Sequence, residues 1–325
     1  MIVMLSLGIP AFAKTKHKSK SPLQANAVWV EKELTRMGLS KAYIAESMKY
    51  YEPASFDSTV TLNLLGFLRP AGEHMNRVNP QAIRETQKYV QANQKYFKLA
   101  EQKYGVPANV ISALLWIETR HGDNMGNFHI NSVYLHLLQA NQKRNRVLLT
   151  KLAFEKNKAE QRFNKKELRK LMAERTKKKS DWAREQILAM ASIRKRKHLN
   201  ITDLRGSYAG AFGMAQFIPS SYLDYAKPAK PGAVAKLTET PDAIMSVANY
   251  LKKFGWKTAQ PESHVEALMK YNNSRDYADS ILEISRLAVA ETKNPPVKTR
   301  GLSSVDEVEE ITADSPAEAS AEPAP

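Results

Sequence analysis

Residues 105–122 read Gly105-Val-Pro-Ala-Asn-Val-Ile-Ser-Ala-Leu-Leu-Trp-Ile-Glu-Thr-Arg-His-Gly122, and the rest of the chain is organised around them. Pro107 suits the first turn of a helix, and Gly122 suits the residue just past its end. Between them Val110, Ile111, Leu114, Leu115 and Ile117 recur with helical period. Glu118 follows Leu114 by four residues, Leu115 by three and Ile111 by seven, which places its carboxylate on the buried face. Burial disfavours the charged form, and the negative end of the helix dipole lies close by, so a raised pKa is expected. A carboxyl that stays protonated near neutral pH is what a general acid needs. The same residues also allow a plainer arrangement, a helix-end Glu paired with Arg120 or Lys103. Glu118 and His121 have the Glu-x-x-His spacing of di-iron bundles, but such a site needs two of these motifs and the sequence holds no second one.

The chain has 325 residues, enough for two domains or for one large domain with an insertion. Its hydrophobic content of 43% is sufficient for a core. There is no cysteine, which excludes disulfides, thiolate zinc sites, cysteine nucleophiles and a lipidated N-terminal Cys. The net charge of +16 implies an acidic partner or surface. That charge is uneven. Residues 141–200 carry 20 Lys and Arg against 6 Asp and Glu, whereas residues 301–325 carry seven acidic residues and no basic one.

Residues 1–13 end in an apolar run followed by Ala11-Phe-Ala13, the later half of a secretory signal peptide without its usual basic start. Export to the periplasm with cleavage after Ala13 is therefore expected, the alternative being an apolar disordered N-terminus. Residues 14–25 read as a polar, basic linker. No later run approaches the roughly 18 apolar residues of a membrane-spanning helix. Residues 26–78 carry helical patterning with breaks, the piece from Tyr51 to Phe56 being extended or turn-like because of Pro53. Asn79-Pro80 opens a long helix expected to reach about Tyr104 and stop at Gly105. A Gly-containing loop and an apolar helix follow over 123–140. Residues 141–200 read as two or three basic helices, with Leu148, Leu149, Leu152 and Phe154 on one apolar face and Leu168, Leu171 and Met172 on another. Their basic runs suit either an anionic partner or a solvated face.

Residues 205–225 change character. They read Arg205-Gly-Ser-Tyr-Ala-Gly-Ala-Phe-Gly-Met-Ala-Gln-Phe-Ile-Pro-Ser-Ser-Tyr-Leu-Asp-Tyr225. Three glycines among small residues bring backbone close to something, a ligand or a packed helix. The stretch lacks the Gly-Lys-Ser/Thr ending of a phosphate-binding loop. Thr240-Pro241-Asp242 starts a helix that Gly255 stops, residues 263–290 are helical around Tyr271-Asn272, and residues 291–325 read as a disordered acidic tail. No segment alternates as strands do, so the fold class expected is all-α.

These motifs, taken in order, resemble the membrane-bound lytic transglycosylase B family. They are Tyr104-Gly-Val-Pro107, Glu118-Thr-Arg-His-Gly122, Gly206 to Phe217, Pro219-Ser-Ser-Tyr222, Asp242-Ala-Ile244, Ser246 to Tyr250 and Tyr271-Asn272. The similarity covers residues 26–290 and is tightest over 104–130 and 205–272. It implies a lysozyme-like helical catalytic domain, with 141–200 as an inserted basic helical subdomain, that cleaves peptidoglycan glycan strands. By this resemblance Glu118 is the acid/base, and Ser207, Gly210, Met214, Gln216, Phe217, Tyr271 and Asn272 contact the saccharide. Glycines 206, 210 and 213 would let a sugar ring lie against backbone, while Phe212 and Tyr222 suit the core. Relatives often carry an acidic calcium loop. Here residues 226–240 contain one acidic residue, Glu239, so no metal and no cofactor is expected.

The resemblance further implies a transglycosylase route with one carboxylate. Its product would be a 1,6-anhydromuramic end, made at the bond between N-acetylmuramic acid and N-acetylglucosamine. The rivals are a goose-type muramidase, in which water attacks, and a peptidoglycan-binding scaffold with an idle site. Partners expected are peptidoglycan glycan strands. Nucleic acid is not expected, because the basic segment lacks interleaved aromatics or a reading motif. The protein should be exported, peripheral to the wall and neither lipidated nor membrane-spanning.

Overall fold

A computed structural model describes residues 25–68, 74–196 and 198–293. The helices are α1 (Ala27–Arg36), α2 (Lys41–Met48), α3 (Phe56–Leu65), α4 (Pro80–Ala92), α5 (Gln94–Tyr104), α6 (Ala108–Thr119), α7 (Ile130–Leu138), α8 (Lys143–Glu160), α9 (Lys165–Lys195), α10 (Pro219–Tyr225), α11 (Thr240–Lys253), α12 (Pro261–Tyr271) and α13 (Arg275–Lys293). The fold is all-α, as the patterning predicts. One minimal antiparallel ladder joins β1 (Phe128–His129) to β2 (Arg205–Gly206), with Phe128 opposite Gly206 and His129 opposite Arg205. Two-residue strands are too short to show alternation, which is why the sequence gives no sign of them. The signal-peptide expectation and residues 294–325 of the tail lie outside the described residues.

The long helix expected from Asn79 to Tyr104 is two. Asn79 caps α4 by accepting from the Ala82 amide at 2.9 Å. The chain then breaks at Asn93, whose backbone leaves helical geometry and whose side chain donates to the Tyr89 carbonyl at 3.0 Å. The break gives the halves different partners: α4 packs on α6 and α13, and α5 packs mainly on α11. Gly105 then ends α5 in the left-handed conformation. The piece from Tyr51 to Phe56, expected to be extended or turn-like, holds a 3-10 turn over Pro53–Ser55 that leads into α3.

α6 lies at the centre. Every residue from Val110 to Thr119 is buried, so the helix is wrapped on all sides by α4, α5, α11 and α13. Its apolar stripe is part of a surface that is apolar nearly all round, the pattern of a core helix, with Ser112, Glu118 and Thr119 as its buried polar residues. It ends earlier than Gly122 suggests. Arg120 and His121 both take left-handed backbone angles, at φ 53° and 58°, and stop the helix at Thr119.

The basic segment forms two helices, α8 and α9. Leu149, Ala153, Leu168 and Met172 close a second, smaller core with Phe56, Val60, Leu64 and Leu65 of α3. The C-terminal half of α9 packs instead on α7 and α10 and gives Trp182, Ile187, Met190 and Ile193 to the main core. The residues expected as an inserted subdomain thus divide between two cores.

Candidate active site

Glu118 sits in the last turn of α6 and keeps 9% of its surface exposed. Neither Arg120 nor Lys103 pairs with it. The Arg120 guanidinium lies over the Trp116 ring, 4.5 Å from its centroid. Among the described residues the one hydrogen-bond donor to Glu118 is Tyr277 of α13, whose hydroxyl reaches Oε1 at 2.5 Å. Burial pushes the Glu118 pKa up to about 7, against opposition from the Tyr277 hydrogen bond and from the charge of Arg77. Arg77 is held nearby by donating to the Ile117 carbonyl at 3.3 Å. The site therefore contains a carboxyl whose pKa is raised to about 7, with one oxygen fixed by a phenol. That is a proton donor able to become a base within one turnover.

His121 does not serve the site. Its Nε2 donates to the Ser112 carbonyl at 2.9 Å, and its ring stacks on Tyr89 at 3.8 Å between centroids. Burial lowers its pKa to about 4, so it stays neutral as a packing residue. The Glu-x-x-His spacing is coincidental to the end of the helix.

The glycine-rich stretch folds into a tongue beside Glu118. Gly206 bridges to Phe212, and Phe212 to Phe217. The Thr119 hydroxyl donates to the Met214 carbonyl at 3.0 Å, tying the tongue to the residue after the acid. Gln216, at φ 47°, donates through Nε2 to the carbonyls of Met125 (3.2 Å) and Gly213 (2.9 Å). The Tyr271 hydroxyl donates to the Ala215 carbonyl, and its ring lies 5.9 Å from Phe217. Met214, Gln216, Phe217 and Tyr271 thus form one connected set around the end of α6. Asn272 follows Tyr271, is buried, and caps the turn into α13 by accepting from the Ser274 amide at 2.6 Å.

Ser207 and Gly210 belong to a different set. The Ser207 hydroxyl accepts from the Ala211 amide at 3.2 Å and closes a tight turn. The Gly210 carbonyl accepts from the Tyr134 hydroxyl at 2.8 Å. The close approaches that require glycine here are internal. A Cβ on Gly210, at φ +91°, would sit 2.4 Å from the Tyr134 ring, and one on Gly213 would sit 2.4 Å from Leu237. At Gly206 too the crowding atoms are the protein's own, the Ala211 carbonyl lying 2.0 Å from where a Cβ would sit. Phe212 and Tyr222 are core residues.

Sequence reasoning missed Tyr277 and Arg77. Neither stands in a motif: Tyr277 reaches Glu118 only because α13 packs along α6, and Arg77 acts on it through its charge while bonded to the Ile117 carbonyl.

The loop between α10 and α11 does not fit a calcium ion. Its closing carboxylate, Asp242, accepts from the amides of Ala229 and Lys236, each at 2.8 Å, so both of its oxygens are engaged by backbone. Glu239 pairs with Lys236 at the surface. A calcium site takes about six to eight oxygen ligands. This loop is held by a carboxylate where a metal-bound loop would be held by an ion.

A family profile described as the transglycosylase SLT domain matches residues 23–266. The chain belongs to that family. A stretch of 157 residues is 34% identical to the membrane-bound lytic murein transglycosylase B of Escherichia coli (strain K12), covering 48% of this chain and 34% of that protein. The chain thus spans about a third of the length of the curated relative it matches. The soluble lytic transglycosylase SltB1 of Pseudomonas aeruginosa superimposes with a TM-score of 0.61 at 19% identity, over 82% of this chain and 99% of that one. The Escherichia coli lytic transglycosylase SLT35 in complex with bulgecin A gives 0.61 at 18% identity, over 83% and 95%. SltB3 of Pseudomonas aeruginosa in complex with NAG-NAM-pentapeptide gives 0.58 at 18% identity, over 86% and 82%. These likenesses extend the SLT-family fold across the described helices.

Proposed function

We propose that this SLT-family chain is a peptidoglycan lytic transglycosylase with Glu118 as its one catalytic carboxylate. The observation that carries the reading is the state of Glu118: buried, unpaired with any cation, bonded to one phenol, with a pKa of about 7. Family membership and the SltB3 complex with a NAG-NAM-pentapeptide support the substrate class.

Protonated Glu118 donates to the oxygen linking N-acetylmuramic acid to N-acetylglucosamine. The acetamido group of the muramic residue stabilises the developing positive charge. Ionised Glu118 then takes the proton from that sugar's 6-hydroxyl, whose oxygen closes the 1,6-anhydro ring. The proton gained equals the proton lost, and no water is consumed. Ordinary glycosidases need a second carboxylate for nucleophile or water activation. Gln216, Phe217, Tyr271 and Asn272 are the residues we assign to the saccharide cleft with Met214, while Ser207 and Gly210 shape the tongue that carries them.

We further propose that the chain acts at the wall after export. Among the described residues no helix is long and apolar enough to cross a membrane. The basic residues of α8 and α9 supply attraction to acidic muropeptides, which salt screens over a Debye length of about 8 Å. Mass spectrometry of digested peptidoglycan tests the reaction. Anhydromuramic ends, one water lighter than lysozyme products, are expected. Reducing muramic ends would make the chain a muramidase, and no products at all would make it a binding scaffold.

A further inference from the structure

Outside residues 141–200 the chain is nearly balanced, with 29 basic against 27 acidic residues, so the excess charge belongs to one place. The structure turns that excess into a surface. Helices α8 and α9 are joined by residues 161–164 and pack on each other and on α3 through their apolar faces. Arg144, Lys151 and Lys158 recur every seven residues and line the opposite, exposed side of α8. Lys166, Lys170 and Lys177, spaced by four and then seven residues, line the exposed side of α9. The acidic residues among them, Glu155, Glu174 and Asp181, form only exposed pairs one turn away with Lys158, Lys170 and Lys177. Such pairs hold their partners weakly and leave the face cationic.

We propose that this face is the docking site of the chain's own acidic terminus, residues 301–325. Charge complementarity selects it: the terminus has seven carboxylates and no basic residue, four of them close in sequence at Asp306, Glu307, Glu309 and Glu310, and among the described residues α8 and α9 carry the strongly cationic surface. Reach permits it. From Lys293, the end of α13, thirteen residues lead to Asp306 and can span about 45 Å, and the remainder of the terminus doubles that. A body of this size is about 50 Å across. A tethered segment meets the face at millimolar effective concentration, so weak ion pairing suffices. The terminus then acts as a built-in competitor that any external polyanion must displace. The contact stands independently of the reaction performed at Glu118.

A charge cycle on the full chain tests it, with inorganic polyphosphate as the probe. One variant neutralises the terminus (Asp306→Asn, Glu307→Gln, Glu309→Gln, Glu310→Gln), a second neutralises the face (Arg144→Gln, Lys151→Gln, Lys166→Gln), and a third combines both. Neutralising the terminus should tighten polyphosphate binding about threefold in the native background and leave it unchanged once the face is neutral. The same tightening in both backgrounds would mean that the terminus acts only through net charge, and would overturn the proposal. Carbodiimide coupling followed by peptide mapping gives the second measurement. Links from Asp306–Glu310 to lysines of α8 and α9 are expected, and links confined to other lysines, or absent altogether, would refute the contact.

Discussion

Glu118 and Asp242 are almost equally buried, at 9% and 8% exposure, and they do opposite work. Asp242 accepts two backbone amides and fixes the loop between α10 and α11. Glu118 accepts one phenol hydrogen bond, has no backbone donor, and has its pKa raised to about 7. A third buried carboxylate, Glu33, separates the causes further. Burial pushes its pKa up, but the guanidiniums of Arg184 (2.7 Å) and Arg36 (3.0 Å) outweigh this and carry it below the usual range. Burial alone therefore does not make an acid. What makes Glu118 one is the scarcity of partners that favour its charged form.

The comparison breaks most sharply at Glu118→Gln. If one carboxyl serves as both acid and base, release of muropeptides should fall by about 10³-fold or more, with the helical content unchanged. Retention of native activity in this variant would falsify the assignment.

The next effect is on stability against pH. The Glu118 pKa is raised in the folded state, so the folded chain binds more protons than the unfolded one between about pH 4.5 and 7. Wild-type stability should therefore decline as pH rises through that window, whereas Glu118→Gln should not share the decline. The variant's advantage in urea denaturation should grow by about 3 kcal/mol from pH 4 to pH 8. The same titration removes the donor, so turnover should fall above about pH 7.

At Asp242 the expectation is reversed. Asp242→Ala frees two amides and should cost about 2–3 kcal/mol at neutral pH, read by thermal unfolding. The Leu237 carbonyl of this loop accepts from the Met214 amide at 2.8 Å, so KM should also rise as the tongue loosens. The smallest effect belongs to Tyr277→Phe. Losing a hydrogen bond that favours the carboxylate should move the alkaline limb of the pH–rate profile upward by about one unit and at most about two, because one such bond to a charged group is worth about 1.5–3 kcal/mol and a pKa unit is about 1.4 kcal/mol. An unmoved or lowered limb would show that the phenol does not act on the ionised form.

How much of this was legible in sequence follows physical lines. Local signals were read well: the caps at Asn79 and Gly105, the apolar pattern of α6, the Pro-led start of α11. The position of Glu118 followed from spacing, because burial on a helix face is a local property. The break at Asn93 was not legible. Asn is tolerated in helices, and the break there lets the two halves take different partners, α6 and α13 for α4 and α11 for α5. Tyr277 was invisible for a related reason. It stands 159 residues from Glu118, and only the packing of α13 along α6 brings them together. The glycines were legible as close approaches, but a sequence cannot say what approaches, and at Gly210 it is Tyr134.

The two left-handed residues after Thr119 have a practical consequence for recombining this segment with that of a relative. Arg120 and His121 hold conformations that non-glycine residues adopt at a cost, and His121 is kept there by the Tyr89 ring and the Ser112 carbonyl. The short run 119–122 is therefore not a transplantable cassette. A chimera that imports it without Tyr89 and Ser112 carries the strain without the contacts that offset it, and the acid one residue upstream inherits the error. The unit that can be exchanged between homologues reaches back through α6 to α4, three pieces of chain that must travel as one.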